Sequence, residues 1–215
     1  MRYDRMVIAY HGCDARVADR LIAGEPFRKS SNDFDWLGEG VYFWEYGYDR
    51  ALQFAEEQRK RGKVERPAVV GALLQLGNCF DLMDTRFTAD LKRSFPAFCA
   101  MYDRKGLPLP YNEGATPDLL LRRRDCAVIN LYLESRPRFG LSTYDSVRCC
   151  FAEGDRAFDG SGIYEKSHVQ IAIRNQACIL GTFRPGEIIH EANASDPIIH
   201  YSSILPLSGS RLPLS

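Results

Sequence analysis

Ala9–Cys13 reads A-Y-H-G-C, Leu37–Trp44 reads L-G-E-G-V-Y-F-W, and Ala51–Ala55 reads A-L-Q-F-A. The first stretch closes a nearly continuous apolar run from Met6 to Tyr10, the pattern of a strand buried on both faces. Asp14 then offers an N-cap to a short helix whose Val17, Leu21 and Ile22 share one face, and Gly24 with Pro26 stops it. His11 is therefore expected at the switch from strand to loop. The second stretch is a glycine-punctuated turn that runs into a strand from Val41 to Trp44. The third lies on a helix expected from Tyr48 or Asp49 to about Arg61, because Ala51, Phe54, Ala55 and Gln58 recur at three- and four-residue spacing. A His-Gly pair on one strand and a Gly-x-Gly-Val-Tyr-Phe turn opening the next bring an imidazole and a phenol toward one cleft.

This order resembles the ADP-ribosyltransferase superfamily, in its diphtheria-toxin and poly(ADP-ribose)-polymerase-like branch with the His-Tyr-Glu signature. The resemblance implies an α+β fold, a split β-sandwich of two mostly antiparallel sheets around an NAD cleft. It matches His11 to the motif histidine, Gly12 to the glycine whose backbone clamps the nicotinamide amide, and Tyr42 to the motif tyrosine. Phe54 stands where a tyrosine is common, one residue further along, to stack on the second face of nicotinamide. In F-R-K-S-S-N-D-F-D-W-L-G-E-G (Phe27 to Gly40), Ser31, Asn32 and Asp33 approach the adenosine side of NAD. A surface loop pinned by Phe34 and Trp36 is the alternative for that stretch.

The third motif departs from the family. S-H-V-Q-I-A-I-R-N (Ser167 to Asn175) places Gln170 where the family has its Glu. Glutamine hydrogen-bonds ribose but neither carries charge nor acts as a base, a pattern that suggests transfer of one ADP-ribose instead of chain growth. Glu165, upstream in the preceding loop, is a carboxylate that could take the role, its alternative being an exposed loop acid.

Between the motifs, Ala68–Leu76 reads as a buried strand, and residues from Thr85 to about Glu134 are helical in period. They form an insert over about 85–135, with Phe87, Leu91, Phe95 and Phe98 on one face and a second helix capped at Thr116-Pro117-Asp118. Arg122, Arg123 and Arg124 fan across that helix, either as a solvated face or as contacts for phosphates of a nucleic acid or of the cofactor. Trp36, Trp44 and Tyr46 suit stacking on a nucleobase and suit core packing equally.

At 215 residues, with 45% hydrophobic and 26% charged residues, the chain has the composition of one ordinary globular domain. Lys+Arg and Asp+Glu both number 28, so nothing global points to DNA packaging or anionic membranes. Seven cysteines form no C-x-x-C pair, which implies free thiols in a reducing compartment and neither a zinc site nor a disulfide frame. M-R-Y-D-R-M is not a signal peptide, and no apolar run approaches ~20 residues, so a cytoplasmic protein with no membrane span is expected. The function implied is an NAD-dependent mono-ADP-ribosyltransferase, a bacterial toxin or defence effector. Its acceptor would be a nucleic acid, RNA first, or a protein, and an antitoxin protein is an implied partner. The alternatives are an NAD glycohydrolase, an RNA 2′-phosphotransferase-like enzyme, and a catalytically silent NAD- or nucleotide-binding module.

Overall fold

The computed structural model describes residues 4–114 and 119–186. Its strands and helices run β1 (Met6–Asp14), α1 (Ala15–Ile22), β2 (Val41–Glu45), α2 (Tyr48–Lys60), β3 (Pro67–Gln75), β4 (Cys79–Asp81), α3 (Thr85–Arg104), β5 (Asn112–Glu113), β6 (Leu121–Arg122), α4 (Arg123–Ser135), β7 (Ser146–Phe151), β8 (His168–Ile173) and β9 (Ile179–Phe183). The fold is mixed α and β. Seven strands form a sheet in the order β4-β7-β8-β2-β1-β3-β9, in which only β4 and β7 run parallel, and β5 with β6 forms a small second sheet.

The large sheet has a weak seam. β1 pairs with β3 at every residue from Met6 to Asp14, and β2 pairs with β8 from Val41 to Trp44. Between β1 and β2, however, the ladder consists of Ala9 opposite Glu45 and Tyr10 opposite Trp44. Two half-sheets, β4-β7-β8-β2 and β1-β3-β9, thus meet along two residue pairs. The nine-residue template of β3 also explains why β1 continues past Tyr10: His11 lies inside the strand, not at its end as its sequence suggests.

Side chains alternate across the sheet. On one face Val7, Ala9, Phe43, Val70, Leu74 and Ile171 are buried beneath α1, whose Ala18 and Leu21 join them. On the other face, Phe80, Val147, Ala172, Ile129 and Leu133 form a core under α3 and α4, while Trp44, Ala51 and Val69 pack with α2. Burying each large apolar side chain stabilises the fold by about 1.5–3 kcal/mol. Asp14 caps α1 through a 3.0 Å bond from the Arg16 amide, and Asp84 caps α3 through the Arg86 amide at 2.8 Å.

The insert differs from its expected form. The second helix begins at Arg123, preceded by β6, and the cap at Thr116-Pro117-Asp118 falls outside the described residues. The two-residue pairing of Asn112 and Glu113 with Leu121 and Arg122 holds the chain extended up to that point, and the Asn112 side chain then takes the amides of Arg124 and Asp125. No helix among the described residues is long and apolar enough to cross a membrane.

Candidate functional site

Tyr10 and Trp44 sit directly across the seam and share a face. Tyr42, two residues before Trp44, points the same way, and His11, one residue after Tyr10, points the other way. The contacts bear this out. His11 packs against Phe27 and Phe43, with ring centroids 5.4 and 5.7 Å away, on the α1 face, whereas Tyr42 packs with the Leu37 and Phe80 cluster. The expected cleft with His11 and Tyr42 on facing walls is therefore corrected: strand alternation puts the two rings on opposite sides of the sheet.

His11 meets Tyr42 through the backbone instead. Its Nδ1 lies 2.8 Å from the Tyr42 carbonyl, beyond the point where the β1–β2 ladder stops. A carbonyl only accepts, so Nδ1 carries the proton and Nε2 keeps its lone pair. Burial lowers the His11 pKa below its ordinary 6.5, and the bond to Tyr42 works against that shift. The imidazole also lines a pocket of about 320 Å³ with Phe27, Arg20, Glu25 and Arg28.

Tyr42 is locked. Its hydroxyl donates to the Gly38 carbonyl at 2.6 Å and accepts from the Leu37 amide at 2.9 Å, and burial first, then the nearby Asp35 charge, pushes its pKa well above the usual range. Gly38 supports this turn with a left-handed φ of 75°. Gly12 is a site of close approach: a Cβ there would lie 2.0 Å from the Ala51 carbonyl oxygen, so α2 occupies the space over it. Phe54 packs on Trp44, with centroids 5.0 Å apart, in a cluster separate from that of Tyr42. Tyr42 and Phe54 therefore do not form the two sides of one slot.

The polar chemistry gathers on the Trp44 face. Gln170 lies directly across from Trp44 on β8, and His168, two residues earlier, shares its face. Around His168 stand Trp36 at 6.1 Å, Phe151 at 5.9 Å and Trp44 at 6.4 Å between ring centroids. Arg50 from α2 gives one Nη2 to both carboxylate oxygens of Glu153 at 2.8 Å, with the two side chains 11% and 9% exposed. Glu153 in turn lies 3.7 Å from His168 Nδ1, which donates to the Lys166 carbonyl at 2.7 Å. Five buried atoms in this cluster have no hydrogen-bond partner: Trp44 Nε1, Arg50 Nε and Nη1, His168 Nε2 and Gln170 Oε1. Buried polar groups are seldom left so. Unpartnered donors (Trp44 Nε1, Arg50 Nε and Nη1) and acceptors (Gln170 Oε1, His168 Nε2) thus occur together in one cluster beside aromatic rings.

The remaining expectations fall around this cluster. Glu165 is exposed, with its amide bonded to the Asp155 carbonyl. Glu153, which sequence reasoning passed over, is the carboxylate that enters the cluster. Ser31 is exposed, and Asn32 is spent on its own loop, bonding Ser30 and Asp35; Asp33 holds Arg123 at 3.2 Å. The three arginines do not fan over a helix. Arg122 precedes α4 and lays its guanidinium 4.2 Å over Trp36 and 4.8 Å over Phe151. Arg123 is paired with Asp33 and Glu113, and Arg124 Nε bonds the Pro110 carbonyl at 2.7 Å. Beside Trp36, Arg122 and Phe151 opens a groove of about 340 Å³ walled by Leu91, Phe95 and Val128. The seven cysteines are free thiols, and burial raises the Cys149 pKa to about 12.

Comparison with known proteins adds one similarity. The chain is 33% identical over 63 residues to an uncharacterized protein of Methanocaldococcus jannaschii, a match that covers 28% of this chain and 29% of that protein. No family model matches the chain, and no solved structure matches it.

Proposed function

We propose that the chain is an NAD-dependent mono-ADP-ribosyltransferase of the split-sandwich kind, acting in the cytoplasm, with RNA as the favoured acceptor class, and that the nicotinamide end of NAD enters the Trp44 face of the seam. The observation that carries this reading is the cluster of unpartnered buried atoms around Gln170. A nicotinamide carboxamide needs a donor for its oxygen and an acceptor for its amino group. Trp44 Nε1 and Arg50 supply the first, and Gln170 Oε1 the second. The weak seam supports the same reading, since the β1–β2 ladder is limited to two residue pairs beside Trp44 and leaves the two half-sheets room to part there. His11 becomes a positioning residue that fixes the Tyr42 carbonyl, and Tyr42 a brace for the Leu37–Gly38 turn.

Cleavage of the glycosidic bond releases neutral nicotinamide while positive charge grows on the ribose. Gln170 would orient the ribose through a bond that strengthens as that charge develops, the Glu153 carboxylate being already engaged by Arg50. The test is nicotinamide release from NAD by the full chain, with RNA, DNA and protein pools offered separately. Gln170→Ala should slow release ~10²-fold or more and also weaken NAD binding, since the variant lacks the acceptor for the carboxamide amino group. Wild-type protein that binds NAD yet releases no nicotinamide in any pool would make the chain a silent binding module.

A further inference from the structure

Resting on the transferase reading, we infer that His168 is the general base of the transfer, so that the acceptor atom is one that must shed a proton, a hydroxyl, amide or amine, and not a carboxylate. The imidazole is fixed in one tautomer: Nδ1 donates to the Lys166 carbonyl at 2.7 Å, leaving the Nε2 lone pair as the reactive end. That Nε2 is buried and has no partner, in a side chain 4% exposed. Gln170, two residues on along the same face, cannot take a proton, so the face has an orienting group and beside it a base.

The surrounding charges suit the task. The groups that face the imidazole are Arg50 from α2, Arg122 from β6 and Glu153 after β7, with the Lys166 carbonyl on its own loop. Burial first, and then the two arginines, hold the ring neutral, while Glu153 at 3.7 Å stands ready to stabilise the imidazolium once formed. In the step, the bond from ribose C1′ to the nicotinamide ring nitrogen breaks and its electron pair leaves with neutral nicotinamide. The acceptor lone pair forms the new bond to C1′, and the acceptor's proton passes to His168 Nε2. Trp36 stacks on the ring, with the Arg122 guanidinium over Trp36 in turn, and both line the adjoining groove, so the acceptor reaches the imidazole from that groove by displacing Trp36.

The experiment follows nicotinamide release and label transfer from adenine-labelled NAD, with pooled RNA, DNA and protein, from pH 5 to 8.5. Wild-type rates should fall tenfold per pH unit on an acid limb whose midpoint lies below 6.5. His168→Gln should erase that limb and slow transfer at least ~100-fold at pH 7.5, with the KM for NAD little changed. His168→Ala should regain part of its rate with added imidazole, which separates lost chemistry from lost folding. Release that keeps its acid limb and rate in His168→Gln overturns the base alone. A labelled linkage that neutral hydroxylamine cleaves as an ester overturns the acceptor class. No release by the wild type removes the transferase reading and this inference with it.

Discussion

Among the described residues, each face of the sheet carries one histidine, and the two are held alike: His11 by the Tyr42 carbonyl at 2.8 Å and His168 by the Lys166 carbonyl at 2.7 Å. Burial is the largest cause lowering the pKa of both. Their neighbours differ. His11 sits edge-on to Phe27 and beside Phe43, and the charged Arg20, Glu25 and Arg28 that share its pocket are not among the causes that set its pKa, whereas Arg50, Arg122 and Glu153 act directly on that of His168. The same tautomer serves packing on one side and is available for chemistry on the other, so the charges around a histidine say more about its work than does its own hydrogen bond.

The comparison breaks most sharply at the ion pair. Arg50→Met should destabilise the fold by ~3–5 kcal/mol in urea unfolding, because Glu153 is left charged and buried, and Arg50→Met with Glu153→Met should recover most of that loss. On the opposite face, Phe43→Ala should cost ~3–5 kcal/mol as a cavity, and no partner substitution of one residue should recover it. Equal recovery in both cases would mean that the two faces are not different in kind.

Tyr42→Phe should lower stability by ~1–3 kcal/mol, since the Leu37 amide and Gly38 carbonyl lose their partner, yet leave turnover close to wild type. A large loss of turnover with little loss of stability would restore the phenol to the reacting centre. Acid should weaken the fold through both histidines. Each has a folded pKa below the ordinary 6.5, so between the folded value and 6.5 the unfolded chain binds more protons. That part of the stability is complete above about 6.5 and is lost as pH falls toward the folded values. His11→Phe should remove its share of the slope in unfolding measured from pH 5 to 7.5, and His168→Gln should remove a second share. The smallest effect is expected at Arg123, whose partly exposed pairs with Asp33 and Glu113 make Arg123→Ala worth less than ~1 kcal/mol.

Much of the fold was legible in the sequence because its signals are local. The Asp14 cap, the helical recurrence of Ala51, Phe54 and Ala55, and the apolar strands at Met6–Tyr10 and Ala68–Leu76 each lie within one element, and all formed. The end of β1 was not legible, since nothing in H-G-C-D announces that Ala68 to Val70 will pair with it. Nor was the start of α4, which depends on a two-residue ribbon with Asn112 and Glu113. At the site, Gln170 was singled out, but Arg50 and Glu153, 103 residues apart in the chain, give no spacing to notice. His168 stood in the quoted motif and passed unremarked, because a histidine at the head of a strand looks the same in one dimension whether or not a carboxylate waits beside it.

Tyr42 answers to both sides of the sheet at once, by its carbonyl to His11 and by its hydroxyl to the Leu37–Gly38 turn. This leaves β2 no freedom of length. An insertion or deletion of one residue between Gly40 and Glu45 would turn Phe43 outward among the charges and bring Trp44 into the carbon core, exchanging the roles of the two faces in a single step. Natural variants of this protein should therefore change residue identities along Val41–Glu45 far more readily than they change its count, and length variation should gather in the loops on either side.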